Sequence, residues 1–135
     1  MNPNEHQVAG GHYASSYQHW DYVRLALGDR YLEGCLTKYV YRWRKKNGLQ
    51  DLLKAQHYYD KILDLHRAGV YDAPASTDAQ FHEALGFAAA NGLDSFRSEE
   101  GRILCILSGW SCEQDLLVVG TLLNALVAKA QAQGL

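Results

Sequence analysis

The chain has 135 residues, 47% hydrophobic and 21% charged, an ordinary globular balance long enough for one domain with its own core. A net charge of -2 and a pI near 6.3 exclude the strongly basic profile of a general nucleic-acid binder, so any anion site has to be a local patch. Three cysteines, Cys35, Cys105 and Cys112, are an odd number, and two lie in apolar helical contexts, which argues for reduced thiols rather than a disulfide framework.

The opening stretch, MNPNEHQVAGGHY, is polar and has no signal-peptide core. No contiguous apolar run reaches the roughly eighteen residues of a membrane span. A cytoplasmic protein without a membrane segment is the expectation. Gly10-Gly11 lets the backbone bend sharply just before His12-Tyr13. That pair reads either as a polar lid over a ligand or as an anchor tying the arm to the helices. It is not part of a P-loop, because no G-x-x-x-x-G-K-[ST] follows.

Ser15 to Gly28 is predicted as a helix with Gly28 as terminator. Asp21 falls in its first turn, where an acid favours the helix dipole. His6, His12 and His19 do not share a helix face at metal-ligand spacing, and no metal site is predicted.

Arg30 to Lys46 is predicted as an amphipathic helix. Leu32, Leu36, Tyr39, Val40 and Trp43 form its apolar stripe, with Gly34, Lys38, Tyr41 and Lys45 opposite and Arg42 on the boundary. Gly34 in a helix interior costs up to ~1 kcal/mol relative to Ala, which a close helix contact or a close ligand would justify. Tyr41 reads as a stacking platform or as surface cover. Charge rows of this kind are commonly just solvated faces; the functional reading is an anion site.

Asn47-Gly48 is a tight turn, and Leu49 to Ala68 is the partner helix of an antiparallel hairpin. Leu52, Ala55, Tyr59, Ile62, Leu63 and His66 share its face, with His66 a hydrogen-bonded core histidine. Lys54 and Tyr58 lie near its edge. Asp51 reads either as an ion-pair partner of Arg42 or Lys45 or as a catalytic carboxylate.

Residues 69–78 are a linker between an N-terminal region, 1–68, and a C-terminal region, 79–135, of the same compact domain. Thr77-x-x-Gln80 is a capping box for a helix stopped by Gly92. Ser98 caps a short helix that Gly109 ends, with Glu99 and Glu100 in its first turn. Ser111-x-x-Gln114 is a second capping box, before a helix to about Gln133. Val119, Leu122, Leu123, Leu126, Val127 and Ala130 give that helix a stripe wide enough for core plus a subunit contact, or for core alone. No segment alternates as a strand would. The fold class is all-α, a helical hairpin with further packed helices, and an oligomer is expected.

The pattern His12-Tyr13, then Gly34, Lys38, Tyr39, Arg42 and Lys45, then Asp51, Leu52, Lys54, Ala55 and Tyr58, resembles a family of small bacteriophage proteins. That family is DUF3310 (SaV-like), often labelled nucleotide kinase, and the resemblance covers the N-terminal half. It implies nucleotide metabolism in an infected bacterial cell, with ATP or another nucleotide as substrate and a magnesium requirement left open. It also makes Gln18 and Asp21 candidates for ligand contact. On that reading His12, Tyr13, Gly34, Lys38, Arg42, Lys45, Lys54 and Tyr58 bind the nucleotide, and Asp51, Lys38 and Arg42 carry phosphoryl transfer.

The same cations and aromatics would serve a non-catalytic protein that sequesters a signalling nucleotide of the host's defence. A third reading is a helical module that inhibits a host protein through its apolar C-terminal helix. Duplex DNA ranks lowest as a partner, because the net charge is wrong and no recognition helix stands out.

Overall fold

The computed structural model describes residues 17–135, and among these every regular element is helical. In chain order they are α1 (His19–Ala26), α2 (Tyr31–Arg42), a 3-10 turn (Trp43–Lys45), α3 (Leu49–Arg67), α4 (Asp78–Ala90), α5 (Glu99–Leu107) and α6 (Glu113–Gln133). The all-α expectation holds. His12 and Tyr13 lie outside the described residues.

The hairpin of α2 and α3 is the centre of the molecule. Leu36, Val40 and Trp43 on one arm meet Leu52, Ala55 and Ile62 on the other, all buried. Helix α6 packs along α3 through Leu116, Val119, Leu122, Leu123, Leu126 and Ala130. Gly120 lets the two helices approach, since a Cβ there would lie 2.5 Å from Tyr59 Oη. Helix α4 supports α1, and α5 closes the far side against α6.

The basic helix is shorter than predicted. It ends at Arg42 and tightens into a 3-10 turn, because Trp43 swings into the core and donates from Nε1 to Glu100 Oε2 at 3.0 Å. Glu100, expected only as a first-turn acid, is buried and also accepts from Arg44 Nε at 3.0 Å. Gly48 follows at φ 57, the positive value that the tight turn needs.

The solvated face of α2 is also narrower than the helical wheel implied. Gly34 and Thr37 are buried because α1 crosses that side of the helix, and Glu33 is buried among Arg30, Tyr71 and Trp110. Glu33 sits in a polar knot with Arg30 (Nε to Oε2, 2.5 Å), Trp110 (Nε1 to Oε2, 3.1 Å) and the hydroxyl of Tyr71. Arg30 also donates to the Asp72 carbonyl at 2.7 Å, so the 69–78 segment is pinned to the start of α2. His66 is hydrogen-bonded as expected, through Nδ1 and the Tyr71 carbonyl at 2.9 Å, with its ring edge-on to Trp110.

Caps were read with mixed success. Thr77 with Gln80 and Ser98 with Gly101 form as predicted. Ser111 does not cap α6. Cys112 occupies that position, and Asp115 reaches back to accept from the Ser111 backbone N–H at 2.8 Å. The charged acceptor outcompetes Gln114 for that amide.

Helix α6 is long and apolar. Its 21 residues include an 18-residue window of mean hydropathy 1.3, long and apolar enough by composition to cross a membrane. Thr121 and Asn124 interrupt its apolar residues, so no contiguous apolar run reaches that length. Here its leucine stripe is covered by α3 and α5.

Candidate functional site

The ring of Tyr39 organises the basic face of the hairpin. Lys38 Nζ lies 5.6 Å from its centroid, the Arg42 guanidinium carbon 5.0 Å and Lys54 Nζ 5.4 Å. Lys38 and Arg42 come from successive turns of α2. Lys54 comes from α3, brought across by the Asn47-Gly48 turn. No two of these cationic heads are farther apart than twice the longest ring distance. Tyr58 stacks on Tyr39 at 6.2 Å with the planes 16° apart.

Each cation is held to the ring's negative face by roughly 0.5–1 kcal/mol at an exposed site. Their mutual repulsion has little to offset it. Among the described residues no carboxylate is in ion-pair range of Lys38 or Lys54, and Arg42 reaches only Asp51, with Nε 3.6 Å from Oδ2. That distance is too long for a hydrogen bond, and Arg42 Nε is buried without one. The cluster therefore presents net positive charge around one aromatic ring. An anion placed there gains about 1 to 4 kcal/mol per cation at ~4 Å, depending on how much water remains.

Two clefts border this cluster. One, of about 290 Å³, is lined by Lys38 and Arg42 with Gln18, His19, Trp20 and Tyr41. The other, of about 420 Å³, is lined by Tyr39 and Lys54 with Gln50, Leu53, His57 and Tyr58.

His19 forms the inner wall of the first cleft. Its ring stacks on Tyr41 at 5.2 Å with planes 2° apart. Its Nε2 lies 2.9 Å from Thr37 Oγ1, and that hydroxyl gives its own proton to the Glu33 carbonyl at 2.8 Å. Nε2 is therefore the protonated nitrogen of a neutral ring. Burial, then the charges of Lys38 and Arg42, pull its pKa down to about 3. In the second cleft the Tyr58 phenol is pushed up to about 12, first by the neighbouring Cys35 and then by a hydrogen bond with Tyr31. It remains a protonated donor at neutral pH.

The predicted site residues separate cleanly. Lys38, Arg42, Lys54 and Tyr58 come together. Lys45 does not join them, because the 3-10 turn breaks the helical phase and leaves it exposed at the hairpin tip. Gly34 lies under α1, where a Cβ would sit 3.3 Å from Val23 Cγ1, so its missing side chain serves helix packing. Asp51 is buried, accepting from Asn47 N at 3.3 Å and Asn47 Nδ2 at 3.4 Å beside Arg42. That is the structural ion-pair position, with no opening toward either cleft. Asp21 accepts from the Gln18 backbone N–H at 3.1 Å at the start of α1.

Sequence reasoning assigned Tyr39 to the core and passed over His19, Leu53 and His57. The signal for Tyr39 was its place between Lys38 and Arg42, facing Tyr58 across the hairpin. Among the described residues no group of three or more His, Cys, Asp or Glu side chains is disposed to hold a metal ion.

Residues 10–60 match the model of a family described as a protein of unknown function, DUF3310, which supports that family assignment for the N-terminal region. The match spans every residue on which the resemblance was drawn and ends within α3. No curated protein and no solved structure matches the chain.

Proposed function

We propose that this chain binds a nucleotide, with the phosphates on Lys38, Arg42 and Lys54 and a base in an adjoining aromatic cleft. The observation that carries the reading is the convergence of three cations on the Tyr39 ring, where among the described residues a single carboxylate, Asp51, is in ion-pair range and makes no hydrogen bond to Arg42 Nε. An anion relieves their repulsion. The flanking rings of Tyr39 and Tyr58 provide flat apolar surface next to it.

Holding the nucleotide unchanged is favoured over transferring a phosphoryl group. Transfer asks for a group that orients the attacking hydroxyl, and the carboxylate suggested for that role, Asp51, is buried and engaged by Asn47. The separating experiment incubates the protein with deoxynucleoside monophosphates and a triphosphate donor. Unchanged ligand recovered after denaturation supports sequestration, and diphosphate product supports a kinase. Calorimetry showing no nucleotide binding overturns both.

A further inference from the structure

One turn of α2 borders both clefts, with Lys38, Tyr41 and Arg42 lining the first and Tyr39 lining the second. The first lies on its α1 side and the second on its α3 side. Because Lys38 and Arg42 of the first cleft both reach the ring of Tyr39, which lines the second, the cations stand between them. At about 290 and 420 Å³, each cleft is at the small end of the ~300–1,000 Å³ typical of small-molecule sites. Each has room for one base with its sugar. A mononucleotide would fill one and leave the other to water.

We propose that the ligand is a dinucleotide whose bridging phosphates rest on Lys38, Arg42 and Lys54, with one base in each cleft. The proposal rests on the nucleotide reading above and adds the second base. Leu53, 49% exposed, supplies apolar surface for it beside Tyr39 and Tyr58. His57, edge-on to Tyr58, closes the side of the same cleft.

The test uses calorimetry with diadenosine diphosphate and diguanosine diphosphate, each against its own mononucleoside diphosphate. Both members of a pair carry the same number of phosphorus atoms, and the mononucleotide carries at least as much negative charge. Any extra affinity of the dinucleotide therefore comes from the second base. The expected result is one dinucleotide per chain, bound at least about tenfold tighter than the mononucleotide.

Leu53→Glu places a carboxylate in the second cleft at an exposed helical position, and His57→Ala opens its side. Each should bring the ratio of the two affinities toward one while circular dichroism stays unchanged. Equal affinities in the unaltered protein, or a ratio that neither variant moves, overturn the dinucleotide. Mononucleotide binding would then stand on its own. Binding of neither probe removes the nucleotide reading together with it.

Discussion

Arg42 Nε faces Asp51 Oδ2 across 3.6 Å, both atoms withdrawn from water, with no hydrogen bond between them. The pair joins the end of α2 to the first turn of α3 and leaves the arginine's charge only loosely committed. A buried carboxylate that loses its cation keeps its desolvation penalty. Arg42→Ala is therefore expected to lower unfolding stability by about 1–3 kcal/mol and also to weaken nucleotide binding. Asp51→Asn added to that variant should recover part of the stability and none of the binding. Denaturant unfolding of the two single variants and the double variant measures the coupling; additive losses would show that the two side chains do not interact.

Lys38 and Lys54 are exposed and carry no ion pair among the described residues. Replacing either by alanine should change stability by less than about 0.5 kcal/mol. Nucleotide affinity should drop about tenfold for each, the loss of roughly 1.4 kcal/mol of attraction. The unaltered protein should also bind more weakly as salt rises, since exposed charges are screened over about 10 Å at 0.1 M. Affinity indifferent to both salt and these substitutions would remove the phosphate from this cluster.

The neutral ring of His19 makes stability depend on pH. Its folded pKa of about 3 lies below the unfolded value of 6.5, so the unfolded chain binds the extra proton first. Its contribution is complete above pH 6.5 and is lost as pH falls toward 3, with a slope of up to about 1.4 kcal/mol per pH unit from this one group. Between pH 5 and 6.5 the lowered carboxyls Asp94, Glu99 and Glu113 contribute little, because their ordinary values lie at 3.8 to 4.5. Urea unfolding across that interval should show the slope, and His19→Gln should flatten it. Lys38→Ala should raise the histidine's titration midpoint in NMR, because it removes one cause of the depression.

Gly34→Ala tests the packing role of a position that the family resemblance would give to the ligand. The added methyl meets Val23 Cγ1 and Cγ2 at 3.3 and 3.4 Å, tight enough that the valine must shift. A helix-propensity gain of up to ~1 kcal/mol opposes that strain. The net change in stability is expected to be small, with Val23→Ala in the same chain turning it favourable. Nucleotide affinity should be unaffected. A marked loss of affinity at unchanged stability would return Gly34 to the site.

Much of the fold was legible because its signals are local. The Thr77–Gln80 and Ser98–Gly101 caps and the Asn47-Gly48 turn act within four residues, and chemistry at that range is written directly in the chain. The apolar faces of α3 and α6 followed from helical period. Ser111 was misjudged because two side chains one residue apart compete for the same amide, and only geometry decides between them.

The basic patch was visible in composition, but its arrangement was not. The sequence alone established an all-α chain with a basic hairpin at Gly34 to Tyr58, and the family resemblance named His12, Tyr13, Gly34, Lys38, Arg42, Lys45, Lys54 and Tyr58 as its ligand-binding residues. Only the tertiary structure decided that α1 covers Gly34 and Thr37, that Trp43 ends the helix early and strands Lys45, and that Tyr39 gathers cations from two helices. Those outcomes depend on where helices distant in sequence cross. A periodicity of 3.6 residues fixes which side chains share a face, not which neighbour arrives to cover it.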